Sequence, residues 1–104
     1  MTTEVRDAPQ QHRYEATVDG ALAGFAVYRD DAGVRVFVHT EVFPEFEGRG
    51  VGSALARGAL DDVRASGGSL VARCPFISGY IERHPDYTDL LHQRSVSADA
   101  RYDG

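Results

Sequence analysis

Three glycines alternate in the stretch Phe46-Glu47-Gly48-Arg49-Gly50-Val51-Gly52-Ser53. Each loses more backbone entropy on folding than any other residue would, so the alternation implies a need for bare backbone. The stretch lies between a segment with the two-residue period of a strand and one with the period of a helix. Its N–H groups therefore include those left without partners at a helix N-terminus, where the positive end of the helix dipole also acts. Such donors bind anions, and glycine at 48, 50 and 52 lets a phosphate come close without meeting a Cβ. The expectation is a pyrophosphate cradle over Gly48, Gly50, Val51, Gly52 and Ser53, with Arg49 as a side-chain contact. The alternative is a loop in which glycine only satisfies unusual torsions.

Two common nucleotide motifs do not fit. A P-loop needs a lysine after its second glycine, and no lysine follows any of these three. A dinucleotide fingerprint needs a third glycine where Ser53 stands, and an acidic residue ending the next strand where Arg73-Cys74 stands.

The elements that must position this loop are legible as patterns. The 104 residues suffice for one modest core, and 42% hydrophobic with 26% charged residues is a globular balance. Residues 1–11 are polar and expected to form a flexible N-terminal segment, residues 12–92 a single domain, and residues 93–104 a polar tail. Tyr14, Ala16 and Val18 alternate with polar residues up to Asp19-Gly20, a hairpin dipeptide. A second run, residues 21–29, ends in the turn Asp30-Asp31-Ala32-Gly33. In the longest run, Val34, Val36, Val38, Thr40 and Val42 fall on one predicted face, and Arg35, Phe37, His39, Glu41 and Phe43 on the other. Pro44 ends that strand. Val51, Leu55, Ala59, Leu60 and Val63 then form a helical stripe that stops at Ser66-Gly67-Gly68. A strand over residues 69–74, a short helix over residues 76–84 and a closing His-Pro-Asp-Tyr complete the reading. A meander followed by strand, helix and parallel strand predicts an α/β fold with a mixed sheet, one long helix and one short one.

Sixteen acidic against eleven basic residues argue against nucleic acid as a partner, because phosphate-backbone affinity rests on clustered cations. The excess of acid suits a cationic partner such as an amine, or only solubility. No apolar run is long enough for a bilayer and none resembles a secretory signal, so the expected setting is cytoplasmic with no membrane contact. One cysteine, Cys74, rules out an internal disulfide and a cysteine zinc cluster, and no metal site is expected.

The order of these elements, with Glu47-Gly48-Arg49-Gly50-Val51-Gly52-Ser53-Ala54-Leu55, resembles the GCN5-related N-acetyltransferases. The junction motif of that family maps to Glu47, Gly50 and Gly52, with Glu47 where Arg or Gln is usual. The stretches around His39 to Leu55 and Cys74 to Tyr87 resemble the smallest branch of the superfamily more particularly. The resemblance implies acetyl-coenzyme A as cofactor, its pyrophosphate on the loop from Glu47 to Ser53 and its pantetheine arm along the strand edge at Val38, Thr40 and Val42. It implies direct transfer of acetyl to an amine, either a small molecule or a protein lysine. An extended arm leaving the phosphates could add to that strand as a further strand would. The alternative is a module that binds coenzyme A, or an interaction domain, with little or no catalysis.

Acetyl transfer from a thioester needs a neutral amine and a way to protonate the departing thiolate. Glu41 and His39 are candidates to take the amine proton, or else solvated strand residues. Cys74 could form an acyl-enzyme or protonate the thiolate, or be a small buried hydrophobe. Tyr80, and less so Tyr87, are candidate acids, while His84 before Pro85 suits a helix end. Larger relatives continue the sheet beyond this chain's length, so a monomer or weak homodimer is expected.

Overall fold

The computed structural model describes residues 2–92. Five strands form one sheet in sequence order: β1 (Thr3–Ala8), β2 (Arg13–Val18), β3 (Ala21–Asp31), β4 (Val34–Val42) and β5 (Ser69–Ala72). The first four are antiparallel neighbours, and β5 runs parallel to β4. Helix α1 (Val51–Ala65) makes the crossover between β4 and β5, and α2 (Pro75–Arg83) follows β5. Short 3-10 segments lie at Pro9–Gln11, Pro44–Phe46 and Pro85–Leu90.

Turn chemistry sets the registers. Asp19 and Gly20 have φ of 51° and 87°, Ala32 and Gly33 have 53° and 84°, and two successive left-handed residues give the turn whose twist suits a hairpin. Helix α1 ends as its glycines direct: Gly67 at φ 76° donates to Arg64 O and Gly68 donates to Val63 O, a Schellman closure. Its stripe Val51, Leu55, Ala56, Ala59, Leu60 and Val63 is buried against the sheet, meeting Tyr14, Tyr28 and Phe37 from β2, β3 and β4 in one core with Ile77 and Ile81 of α2. At roughly 1.5–3 kcal/mol per fully buried large apolar side chain, this single layer of contacts carries most of the favourable term in folding.

Three expectations are corrected. Residues 1–11 are not a loose terminus: β1 pairs with β2 from Thr3↔Val18 to Ala8↔Arg13, so the domain starts before residue 12. Val5 lies on α1 at Gly58, where an added Cβ would stand 2.7 Å from a Val5 methyl. The two faces of β4 are also redrawn. Val27 pairs with His39 but Tyr28 pairs with Phe37, leaving Val38 as an extra residue in a β-bulge. The bulge inverts the alternation, so Phe37, Thr40 and Val42 share the helix side while Val36, His39 and Glu41 share the outer side. Strand β5 stops at Ala72, since the N–H groups of Arg73 and Cys74 both turn to one acceptor, Phe37 O. The tail predicted over residues 93–104 lies outside the described residues.

Candidate functional site

The site begins where β4 and β5 part. Their last paired residues are Phe37 and Ala72, and β4 runs on to Val42 without β5 beside it. Phe43 N–H donates to Ala23 O at 2.9 Å. Antiparallel alternation then aims the backbone groups of Glu41 and His39 at β3 and those of Thr40 and Val42 at the vacated edge. Gly24 keeps the strands close here, because a Cβ on it would stand 2.5 Å from Glu41 O. A side-chain bond spans the gap: Cys74 Sγ donates to Thr40 Oγ1 at 3.3 Å.

At the far end of that edge the chain turns through Pro44–Phe46 into the glycines. Gly48 and Gly50 have φ of 82° and 77°, with open space where a Cβ would be. Gly50 is the N-cap of α1 and brings no side chain to cap it. The first helical bond of α1 is Ala54 N–H to Gly50 O at 3.0 Å, so the amides of Val51, Gly52 and Ser53 have no partner within the helix. Gly52 has ordinary torsions and a different need: its Cβ would stand 2.5 Å from the Phe76 ring, the exposed large apolar side chain at the start of α2. Glu47 and Arg49 are exposed beside these amides, with the Arg49 guanidinium 5.8 Å from the centre of the Phe46 ring.

The predicted acid–base residues fall into three groups. His39 Nε2 lies 3.3 Å from Glu41 Oε1 on the outer face, the side chains 60% and 49% exposed. Phe25 joins them: it is the cross-strand partner of Glu41, and its ring centre is 6.3 Å from that of His39. Cys74 and Thr40 form the second group on the helix side, with Cys74 only 3% exposed. Tyr80 belongs to neither. It is buried between the helices, its ring stacked on His84 at 4.0 Å, and it lies beside the Arg57 guanidinium, which it helps to keep charged. Tyr87 is tied further along α1, where its hydroxyl donates to Asp61 at 2.7 Å. That bond, with burial, pushes the Tyr87 hydroxyl up to about 12.

Val38 is the bulge residue of β4, without a partner on β3, just beyond the last residue that pairs with β5. Nothing in the residue types marks it as supernumerary, and the contacts of Phe76 with Gly52 and of Thr40 with Cys74 are equally silent in the sequence. The only hint is that Cys74-Pro75-Phe76 stands at a strand-to-helix corner, where side chains of a small fold converge.

A family model described as GCN5-related N-acetyl-transferase matches residues 13–90. No curated protein sequence matches the chain. Among solved structures, a GCN5-like protein from Staphylococcus aureus has a TM-score of 0.64 at 23% identity, over 86% of this chain and 87% of its own. A GNAT-family protein from Desulfovibrio desulfuricans is 33% identical over 58% of this chain, with a TM-score of 0.51. The ribosomal-protein-alanine N-acetyltransferase of Brucella melitensis biovar Abortus 2308 gives 0.54 at 24% identity over 77% of this chain. The chain spans 41% and 60% of the length of these last two.

Proposed function

The chain belongs to the GCN5-related N-acetyl-transferase family and is an acetyltransferase of that kind, and from this premise we propose that it moves acetyl from acetyl-coenzyme A to an amine by direct transfer. The observation that carries the reading is the continuity of one unpaired surface. The edge groups of Thr40 and Val42 lead, past the bulge at one end and the glycines at the other, to the free amides of Val51, Gly52 and Ser53. An extended, amide-bearing arm ending in a pyrophosphate matches that sequence of donors and acceptors. A Cβ at residue 52 would displace Phe76 from the same surface, so the residues present fit the cofactor.

When bound, the cofactor supplies an activated thioester carbonyl. The chain's own part is to hold and orient. The amides of Val51, Gly52 and Ser53, with Gly48, Gly50 and Arg49 around them, take the pyrophosphate, and Glu47 beside them is exposed, so its charge stays solvated. Val38, Thr40 and Val42 present the strand edge. His39 and Glu41 take the amine proton, and their 3.3 Å separation lets a proton on His39 Nε2 be shared with the carboxylate. Cys74 Sγ, already a donor to Thr40 on that edge, is the chain's one thiol and the group to protonate a departing thiolate. Tyr80 positions α2 through Arg57 and His84 and takes no direct part.

Thermal unfolding with and without acetyl-coenzyme A tests the cofactor site. Ligand at about 100 times its Kd adds roughly 2.7 kcal/mol, which in a domain of this size raises the midpoint by roughly 10 °C or more. Ser53→Glu puts a carboxylate in the first turn of α1, where it suits the helix dipole but repels a pyrophosphate. The free variant should be as stable as the parent, or more so, and should lose the ligand response. A response that survives the substitution would move the phosphates elsewhere, and none at millimolar ligand would sink the cofactor reading. Binding without transfer is separated by Glu41→Gln: about 100-fold lower turnover with unchanged binding is expected of an acid–base group.

A further inference from the structure

On the outer face of the sheet, immediately before β4 and β5 part, lies a depression of about 590 Å³ that the reading above does not use. Its floor is Val34 and Val36 of β4 and Val71 of β5, and its rim carries Arg29, Arg73 and His92. The registers place these together, since Arg29 pairs with Val36, Val36 pairs with Val71, and Arg73 is the next outward residue after Val71. The size is that of a small-molecule site.

Its charge runs against that of the molecule. The chain has a formal net charge of −5, and three of the other arginines are answered by acids: Arg13 by Glu15, Arg35 by Asp30, Arg64 by Asp89. Arg29 and Arg73 have no side-chain hydrogen bond, ion pair or ring contact among the described residues, and both line this one hollow. Asp31 is the single acid in the lining, at the β3–β4 turn. Two guanidiniums over a valine floor suit a carboxylate on an apolar body, which Arg binds with two parallel hydrogen bonds. The hollow also neighbours the proton acceptor: on β4 the next outward residue beyond Val36 and the bulge is His39.

We propose that this depression binds the carboxylate of the acetyl acceptor, so that the substrate is an apolar amino acid and not a polyamine. The amine would then reach toward His39 and Glu41 while Arg29 and Arg73 hold the acid end. This rests on the acetyltransferase reading.

The test compares leucine with 3-methylbutylamine, the same amine without the carboxylate. Leucine should give the higher kcat/KM. The double variant Arg29→Gln with Arg73→Gln should lower the ratio of leucine to amine about 10-fold or more, chiefly through KM, while the acetyl-coenzyme A melting response stays in place. A parent enzyme that prefers the bare amine, or a ratio untouched by the variant, overturns the proposal. Should neither acceptor turn over, the hollow is read by itself. N-acetylleucine is titrated without coenzyme while the methyl resonances of Val34, Val36 and Val71 are followed by NMR. Shifts at those valines that vanish in the double variant support the acid site, and no shift at tens of millimolar overturns it.

Discussion

At one end of the sheet Arg35 closes a polar network; at the other, β4 and the start of α1 leave backbone groups open. Arg35 donates from Nε and Nη2 to the two carboxylate oxygens of Asp30 at 2.8 and 2.9 Å, and from Nη1 to the Tyr14 hydroxyl at 2.7 Å. Tyr14 passes a bond to Asp62 of α1, Tyr28 donates to Asp7 of β1, and the Arg35 guanidinium lies 3.9 Å from the centre of the Tyr28 ring. Burial and the neighbouring carboxylates keep both hydroxyls protonated well above the usual tyrosine range. Every polar group there is answered by another side chain from a different element. At the glycine end the amides of Val51, Gly52 and Ser53 have no partner within the helix, which leaves them open to a ligand. Stability should therefore reside at the closed end and ligand response at the open one.

The largest effect that would break this contrast is in the core between the two. Phe37 is fully buried, with ring centres 6.0 Å from Tyr14 and 6.2 Å from Tyr28. Phe37→Ala should cost about 3–5 kcal/mol in denaturant unfolding. A loss near 1 kcal/mol would mean that the aromatic cluster does not anchor the sheet.

Arg35→Gln should cost less, about 1–3 kcal/mol, because its side chain is 22% exposed and the pairs are partly solvated. It also carries a pH signature. The Arg35 hydrogen bond holds the Asp30 carboxyl below its ordinary value. A lowered folded pKa stabilises fully above the unfolded value of about 3.9 and loses that contribution as pH falls through the folded value. The stability gap between parent and Arg35→Gln should accordingly be widest near neutral pH and shrink below about pH 4. A gap constant down to pH 2 would assign the effect to packing of the arginine stem over Tyr28 and not to charge.

The same contrast explains what could be read from the sequence. Strands β2, β3 and most of β4, their turns, and α1 are visible because period and turn residues are local signals. β1 is not, because Val5 is the one large apolar residue in Thr3–Ala8 and its partner, Gly58, is far along the chain. The bulge at Val38 is hidden because an extra residue leaves the residue types unchanged while exchanging the faces of Val36 and Phe37 relative to those of His39 to Val42. The three glycines look alike in sequence but answer to two causes: torsion at Gly48 and Gly50, the Phe76 ring at Gly52. Overall acidity favours a cationic partner, whereas register gathers Arg29 and Arg73 at one hollow. Net charge averages over the surface and carries no such placement.

The smallest expected change in stability is also the sharpest test of the division. Gly48 has φ 82° and open space where a Cβ would stand, so substitution meets torsional cost without steric conflict. Gly48→Ala should cost about 1 kcal/mol, and Gly48→Asn roughly half as much, because asparagine tolerates the left-handed region better. Either change re-aims the amides that follow, and calorimetry should show acetyl-coenzyme A affinity falling more in alanine than in asparagine. Arg35→Gln, at the other end of the sheet, should lower stability further yet leave that affinity where it was. If instead Gly48→Ala destabilised the fold as much as Phe37→Ala, the glycine loop would be part of the frame. The open end would then differ from the closed one in appearance alone.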